Sequence, residues 1–196
     1  MARLVRLRSP SGNAGCGYLI APDLVLTCHH LVPTRSAARL TGILGPAGHR
    51  RRPDPGRFVT CRSLDYTLVG LECRPGSGAA PEDPPRSSGP APHDELVLVQ
   101  PRPTDPSGFR LTRLRVTDTA GPFLRYDGRT TYGSSGAPIF DTCWQLVAMH
   151  QRRGCLDGGG RTAAIVGEGV RVAAVVARLD PERDRFRGGS DGARGT

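Results

Sequence analysis

The sequence predicts an all-β chain made of two halves. Two observations carry this: short aliphatic and β-branched runs recur between turn residues, and a Pro/Gly-rich stretch separates them near the middle. Gly (26) and Pro (18) are abundant among 196 residues, and 37% of the chain is hydrophobic, enough for a core. Turn residues at that density cut a chain into many short strands. The length suits one large domain, or two small half-domains sharing one fold.

The elements follow in order. Met1 to Arg8 alternates apolar and basic residues, the two-residue period of a half-buried strand, giving Leu4–Arg8. Cys16–Ala21 and Asp23–Thr27 are apolar runs bounded by Gly and Pro, and Arg39–Ile43 is a weaker strand. Arg57–Cys61 and Asp65–Glu72 complete a first domain, residues 1–73. Residues 74–93 hold Pro75, Gly76, Gly78, Pro81, Pro84, Pro85, Gly89, Pro90 and Pro92, so they can neither pair nor coil and form a linker. The second domain, 94–180, resumes with Glu95–Gln100, Leu111–Thr117, Phe123–Tyr126, Ala137–Phe140, Trp144–His150 and Ala163–Val166. Val172, Val175, Val176 and Leu179 recur at helical spacing, so Val170–Leu179 is a closing helix. Residues 181–196, rich in Arg, Asp and Gly, form a disordered tail.

Charge and cysteine usage narrow the class. The formal charge is +9 from 27 basic and 18 acidic residues, and every Lys/Arg position is Arg. The arginines are scattered and aromatic residues are only 5%, so no stacking surface supports specific nucleic-acid binding. No apolar run approaches the ~20 residues of a membrane span, and the alternating start is not a signal-peptide core. The chain reads as cytoplasmic, with no membrane partner. Its six cysteines (16, 28, 61, 73, 143, 155) contain no CxxC pair and are expected as free thiols, Cys16 and Cys28 lying closest in space.

Three segments carry chemistry. In Gly133-Ser134-Ser135-Gly136-Ala137-Pro138, glycines on both sides of serine permit a tight turn that exposes a hydroxyl and aims backbone N–H groups at an oxyanion. Taken alone it is equally a flexible loop. In Leu26-Thr27-Cys28-His29-His30 two histidines stand at the mouth of a strand, where one can act as a base if a carboxylate orients it. The other reading is a structural or metal-binding Cys-His-His cluster. Adjacent residues rarely converge on one ion, so neither metal nor cofactor is expected. In Asp65-Tyr66-Thr67-Leu68-Val69 an aspartate leads into an apolar strand, where holding a base would justify its burial, although a strand-capping turn would also place it there.

These segments, in the order His, Asp, Ser, resemble the chymotrypsin-like serine peptidases. Leu26-Thr27-Cys28-His29-His30 is similar to their Leu-Thr-x-x-His segment and selects His30. Asp65-Tyr66-Thr67-Leu68-Val69 resembles their Asp-x-Ala-Leu-Leu strand. Gly133-Ser134-Ser135-Gly136-Ala137-Pro138 resembles the Gly-x-Ser-Gly-x-Pro loop and selects Ser135. Gly15-Cys16-Gly17-Tyr18-Leu19-Ile20 looks like the strand before the histidine. The likeness spans about residues 3–179 and is nearest to small bacterial trypsin-like peptidases and glutamyl endopeptidases, whose ending resembles Gly167-Glu168-Gly169-Val170-Arg171.

The resemblance implies two Greek-key β-barrels with a C-terminal helix and a catalytic triad of His30, Asp65 and Ser135. It implies an oxyanion hole in the turn Gly133, Ser134, Ser135, with the N–H groups of Gly133 and Ser135 as donors. Glutamyl endopeptidases hold an acidic side chain with Thr or Ser and His at the offsets of Thr130 and His150, which implies cleavage of a protein or peptide substrate after Glu or Asp. Gln151-Arg152-Arg153 departs from their pattern, and His150 reads equally as a core histidine. Digestive relatives carry Asp where Ser134 stands and a start this sequence lacks. The enzyme is therefore expected to be constitutively ordered, or controlled by a regulatory partner or fused domain. A catalytically inactive module that binds peptides in the same cleft is the alternative.

Overall fold

The computed structural model describes residues 3–45, 48–72, 89–102, 105, 108–119, 121–156 and 164–179. The expected linker lies mostly outside them, as do Cys73 and the tail.

The first half contains β1 (Leu4–Arg8), β2 (Ala14–Ala21), β3 (Leu24–Thr27), α1 (Arg35–Leu40), β4 (Gly42–Leu44), β5 (Arg50–Arg51), β6 (Pro53–Cys61) and β7 (Tyr66–Leu71). They form one seven-stranded sheet in the order β5-β4-β1-β2-β3-β7-β6. The expected first barrel is thus a half-barrel, whose edge strands β5 and β6 share no ladder among the described residues. Edge strand β5 is two residues long, and Pro53 and Pro55 have no N–H to donate. The second half contains β8 (Glu95–Pro101), β9 (Phe109–Asp118), β10 (Phe123–Asp127), β11 (Pro138–Phe140), β12 (Leu146–Leu156), β13 (Ala164–Arg171) and α2 (Val172–Leu179). Here the strands close into a barrel, β10-β13-β12-β11-β8-β9. Together the halves make a chymotrypsin-like all-β fold.

Most departures from the sequence reading are local. The weak strand at Arg39–Ile43 is instead the end of α1, a turn and the start of β4. Thr34 caps that helix, its Oγ1 accepting from Ala37 N at 3.0 Å, and Ser-Ala-Ala-Arg-Leu sustains it. Asp65 and Trp144, expected as the first residues of their strands, instead precede β7 and β12 in turns, both left-handed (φ 46 and 61). β12 runs past His150 to Leu156 because β13 pairs with it through a bulge between His150 and Arg152.

Each half has its own core. Val5, Val25, Leu26, Ile43, Tyr66 and Val69 fill the first, and Leu96, Leu98, Leu124, Tyr126 and Ile139 fill the barrel. Each fully buried side chain of this size contributes roughly 1.5–3 kcal/mol. Met149, Val170 and Val175 belong to the first core although they come from the second half, so β12, β13 and α2 fasten the halves together. Cys16 reaches the other way, from β2 into the barrel core. The cleft between the halves is therefore fixed from both sides.

Candidate active site

β3 ends at Thr27, where the chain turns at once. Leu31 N and Val32 N both fold back on Cys28 O at 3.3 Å, leaving His29 and His30 at the strand mouth. The two histidines diverge. His29 Nδ1 bonds Thr60 Oγ1 of β6 at 2.8 Å, whereas His30 meets Asp65. Asp65 Oδ2 bonds His30 Nδ1 at 2.8 Å and Oδ1 accepts from His30 N at 2.9 Å. Both carboxylate oxygens are thus committed to one residue. The left-handed backbone at Asp65, which a short polar side chain tolerates better than most, aims the carboxylate back at the strand mouth. A carboxylate on Nδ1 keeps the proton there and leaves Nε2 as the acceptor.

The serine turn is held by both halves. Cys16 N of β2 donates to Ser135 O at 2.7 Å, Gly136 N to His150 O at 2.8 Å, and Ala137 N to Ser134 O at 2.9 Å. Gly133 and Gly136 are both at φ +83, and a Cβ on Gly136 would collide with the Cys16 carbonyl, so the approach of β2 requires glycine. Among the described residues the N–H groups of Gly133 and Ser135 have no intramolecular acceptor. Ser134 differs from the other two turn residues, because its N–H donates to Thr131 O at 3.2 Å. Ser135 Oγ donates to Gln151 O at 3.1 Å. The Gln151 side chain reaches the other half, its Nε2 donating to Leu64 O at 2.5 Å and Asp65 O at 3.1 Å. One residue therefore touches both the serine and the aspartate, and the sequence reading gave it no role.

A second unforeseen residue is Gln100, fully buried (0% exposed) on β8. Its Oε1 accepts from Ser134 Oγ (2.7 Å), Thr131 N (3.0 Å) and Thr131 Oγ1 (3.2 Å). Its Nε2 donates to Thr112 Oγ1 (2.7 Å) and Arg129 O (2.8 Å). Ser134, the residue preceding Ser135, is thus tied to the barrel by a neutral network. A fully satisfied buried network of this kind is rigid.

Thr130 and His150 are both buried near this turn, and Arg153 bonds the first of them. Arg153 Nε donates to Thr130 Oγ1 at 3.2 Å and Nη2 donates to Thr130 O. His150, 3% exposed, accepts at Nδ1 from the Tyr126 hydroxyl. Burial first, and then the charges of Arg153 and His30, pull the imidazole down from 6.5 to about 4, against a hydrogen bond to the Glu168 backbone. His150 is therefore neutral at physiological pH. The nearby Glu168 carboxylate is bound by Arg152 (Nη2, 2.6 Å) and Arg125 (Nε, 3.2 Å). The arginines that looked like a departure from the family pattern thus have separate tasks: Arg152 neutralises Glu168, while Arg153 brings a cation to Thr130.

Cys28 lies behind the histidine, fully buried, with its Sγ 3.5 Å from His150 O. Donor atoms of Cys28, His30 and Asp65 lie within 4.8 Å of one another. Adjacent residues seldom converge on one ion, but here Asp65 supplies a third donor from the turn before β7. Cys16, Cys28, Cys61 and Cys143 are free thiols.

Comparisons with known proteins bear on the family and the fold. The sequence model of the trypsin-like peptidase domain matches residues 15–149. An uncharacterized protein of Sinorhizobium fredii, y4fB, is 27% identical over 176 residues, 74% of this chain. The match spans only 26% of that longer protein. Among solved structures, the active form of the Rv3671c protease from M. tuberculosis superposes with a TM-score of 0.67 at 18% identity, covering 91% of this chain and 79% of that one. A serine endoprotease from Yersinia pestis superposes with a TM-score of 0.69 at 16% identity, covering 96% and 64%. At such identities the superpositions establish the shared fold. Among the described residues no helix is long and apolar enough to cross a membrane.

Proposed function

The chain belongs to the family of trypsin-like peptidase domains, and on that premise we propose that it is a serine endopeptidase in which Ser135 attacks, His30 is the base and Asp65 orients the imidazole. The observation that carries this reading is the pair of hydrogen bonds that Asp65 accepts from His30 N and Nδ1, which reserves Nε2 for a proton from the serine. When a peptide enters, Ser135 Oγ exchanges its bond to Gln151 O for one to His30 Nε2. Catalytic hydrogen bonds commonly tighten in this way once substrate is bound. Oγ then attacks the scissile carbonyl as its proton passes to Nε2, Asp65 stabilises the imidazolium, and the N–H groups of Gly133 and Ser135 receive the oxyanion. His30 returns the proton to the leaving amine, and water attacks the acyl-enzyme by the same route. An oxyanion donor contributes ~10²–10³ in rate.

Arg153 and Thr130 support a preference for Glu or Asp before the scissile bond, since guanidinium and hydroxyl can both face a carboxylate, with the neutral His150 ring, engaged by Tyr126 and the Glu168 backbone, as a wall beside them. Residues 1–73 and 94–180 serve as the two half-domains, with 74–93 connecting them. The neutral Gln100–Ser134 network supports a turn ordered without an ion pair, so that a regulatory partner or fused domain would modulate the enzyme and not assemble it. The thiols of Cys16, Cys28, Cys61 and Cys143, free among the described residues, fit a reducing, cytoplasmic setting. Cleavage of a peptide library by wild type, with no cleavage by His30→Ala or Ser135→Ala, tests the reading; a library left intact by wild type overturns it.

A second reading is favoured by one observation, the Ser135 hydroxyl turned to Gln151 O. It is that the cleft binds peptides without cutting them. Peptide binding by wild type with no hydrolysis would select this reading.

A further inference from the structure

We propose that Cys28, His30 and Asp65 form an inhibitory site for a borderline-soft divalent cation, Zn2+ first, through which the metal reversibly switches the catalytic histidine off. The proposal rests on the endopeptidase reading and adds a control to it.

The donor set is one that zinc takes: a thiolate, an imidazole and a carboxylate, with a fourth position open to water. Their donor atoms lie within 4.8 Å of one another. Tetrahedral ligands at Zn–N, Zn–O and Zn–S lengths of ~2.0–2.3 Å stand roughly 3.3–3.8 Å apart, so the trio must contract by about 1 Å at its widest edge. His30 and Asp65 can supply that movement, since their side chains are 44% and 27% exposed, and they also provide the way in from solvent. Cys28 is the fixed member, sealed beneath them.

Charge favours the ion. A thiolate and a carboxylate balance a dication, giving a neutral centre in a place where a lone charge would be costly to bury. The exchange balances simply. Zn2+ replaces the S–H proton of Cys28, which leaves to solvent. On His30 the metal occupies Nδ1, and the ring proton moves from Nδ1 to Nε2. No oxidation is involved. The tautomer is the point of control, because with Nε2 protonated His30 can no longer take the proton of Ser135. Chelation restores the active tautomer.

The test uses the whole chain and the metal alone. Zn2+ is titrated against peptide hydrolysis by wild type, Cys28→Ala and, as a control for the adjacent histidine, His29→Gln. Cys28→Ala should keep metal-free kcat/KM close to wild type while the inhibiting Zn2+ concentration rises roughly tenfold or more, since even outer-shell losses cost metal sites 10–100-fold. His29→Gln should remain as sensitive as wild type, and a chelator should reverse the inhibition. In parallel, Co2+ added to Ser135→Ala should produce a thiolate-to-metal charge-transfer absorption that Cys28→Ala lacks. Inhibition equal in wild type and Cys28→Ala, or a Co2+ complex without that band, overturns the site. The Co2+ arm needs no catalysis, so a chain that never cleaves peptides yet shows the band would sink the endopeptidase reading and leave the metal site standing.

Discussion

Gln100→Leu is the substitution in which the buried network can be weighed most directly. Leucine nearly fills the glutamine volume but removes every polar partner at a fully buried position. Ser134 Oγ and Thr131 Oγ1, 3.2 Å apart, still bond each other. Thr131 N keeps a longer bond to Ser134 Oγ at 3.2 Å, while Arg129 O and Thr112 Oγ1 each lose a partner. A buried polar group left unsatisfied costs about 1–3 kcal/mol, so with two such groups the variant should lose roughly 2–6 kcal/mol. Kinetics are therefore read at a temperature where unfolding shows the variant still native. The turn it supports should loosen, so kcat should drop roughly 100-fold or more, as when one oxyanion donor is removed, with little change in KM. Gln100→Glu keeps the acceptor but, once ionised, sets an oxygen against Arg129 O, so its activity should recover as pH falls and the carboxyl regains a donor. Urea unfolding and steady-state kinetics across pH read all of this. A Gln100→Leu enzyme with wild-type kcat would refute the idea that the network holds the nucleophile turn.

Three further outcomes follow from the geometry. Gly136→Ala combines a left-handed backbone with a collision against Cys16 O, so it should cost several kcal/mol, roughly 3 or more, and separate β2 from the serine turn; soluble expression and thermal unfolding check it. Arg153→Ser should raise KM roughly tenfold or more for peptides with Glu before the scissile bond and leave peptides with Ala there unchanged. His150 is held down from 6.5 to about 4, so below pH 6.5 the unfolded chain takes up a proton that the folded chain refuses. Stability therefore rises with pH between about 4 and 6.5 and is flat above, and about 3 kcal/mol is lost on acidification to pH 4 at ~1.4 kcal/mol per pKa unit. Denaturation midpoints for wild type and His150→Gln over that range should converge if the histidine is the cause.

The serine turn was legible because its requirements are local: glycines at 133 and 136 for a left-handed backbone, serines between them and Pro138 to start a strand. His30 and Asp65 could be named because each sits at a strand end. That they meet needs a contact 35 residues apart in sequence, which only the family resemblance suggested. Gln100 left a weak local sign. It shares the inward parity of Leu96 and Leu98 on β8, so a polar side chain had to find partners inside the barrel. Gln151 left none, because its importance comes from β7, β12 and the serine turn converging across the cleft, whereas Cys28 could be read as a metal-binding candidate only beside its adjacent histidines, its partner Asp65 being distant in sequence. The helix α1 was misread because a short apolar run such as Ala-Ala-Arg-Leu satisfies both periods, and the Thr34 cap decided it.

The most direct test of the account is intact-mass analysis after exposure to a fluorophosphonate, with peptide mapping of the adduct. The account requires one adduct per chain, on Ser135, formed quickly by wild type and not by His30→Ala. Labelling at another residue, or an unmodified Ser135 in a well-folded chain, would contradict the claim that Asp65 prepares His30 to take the serine's proton.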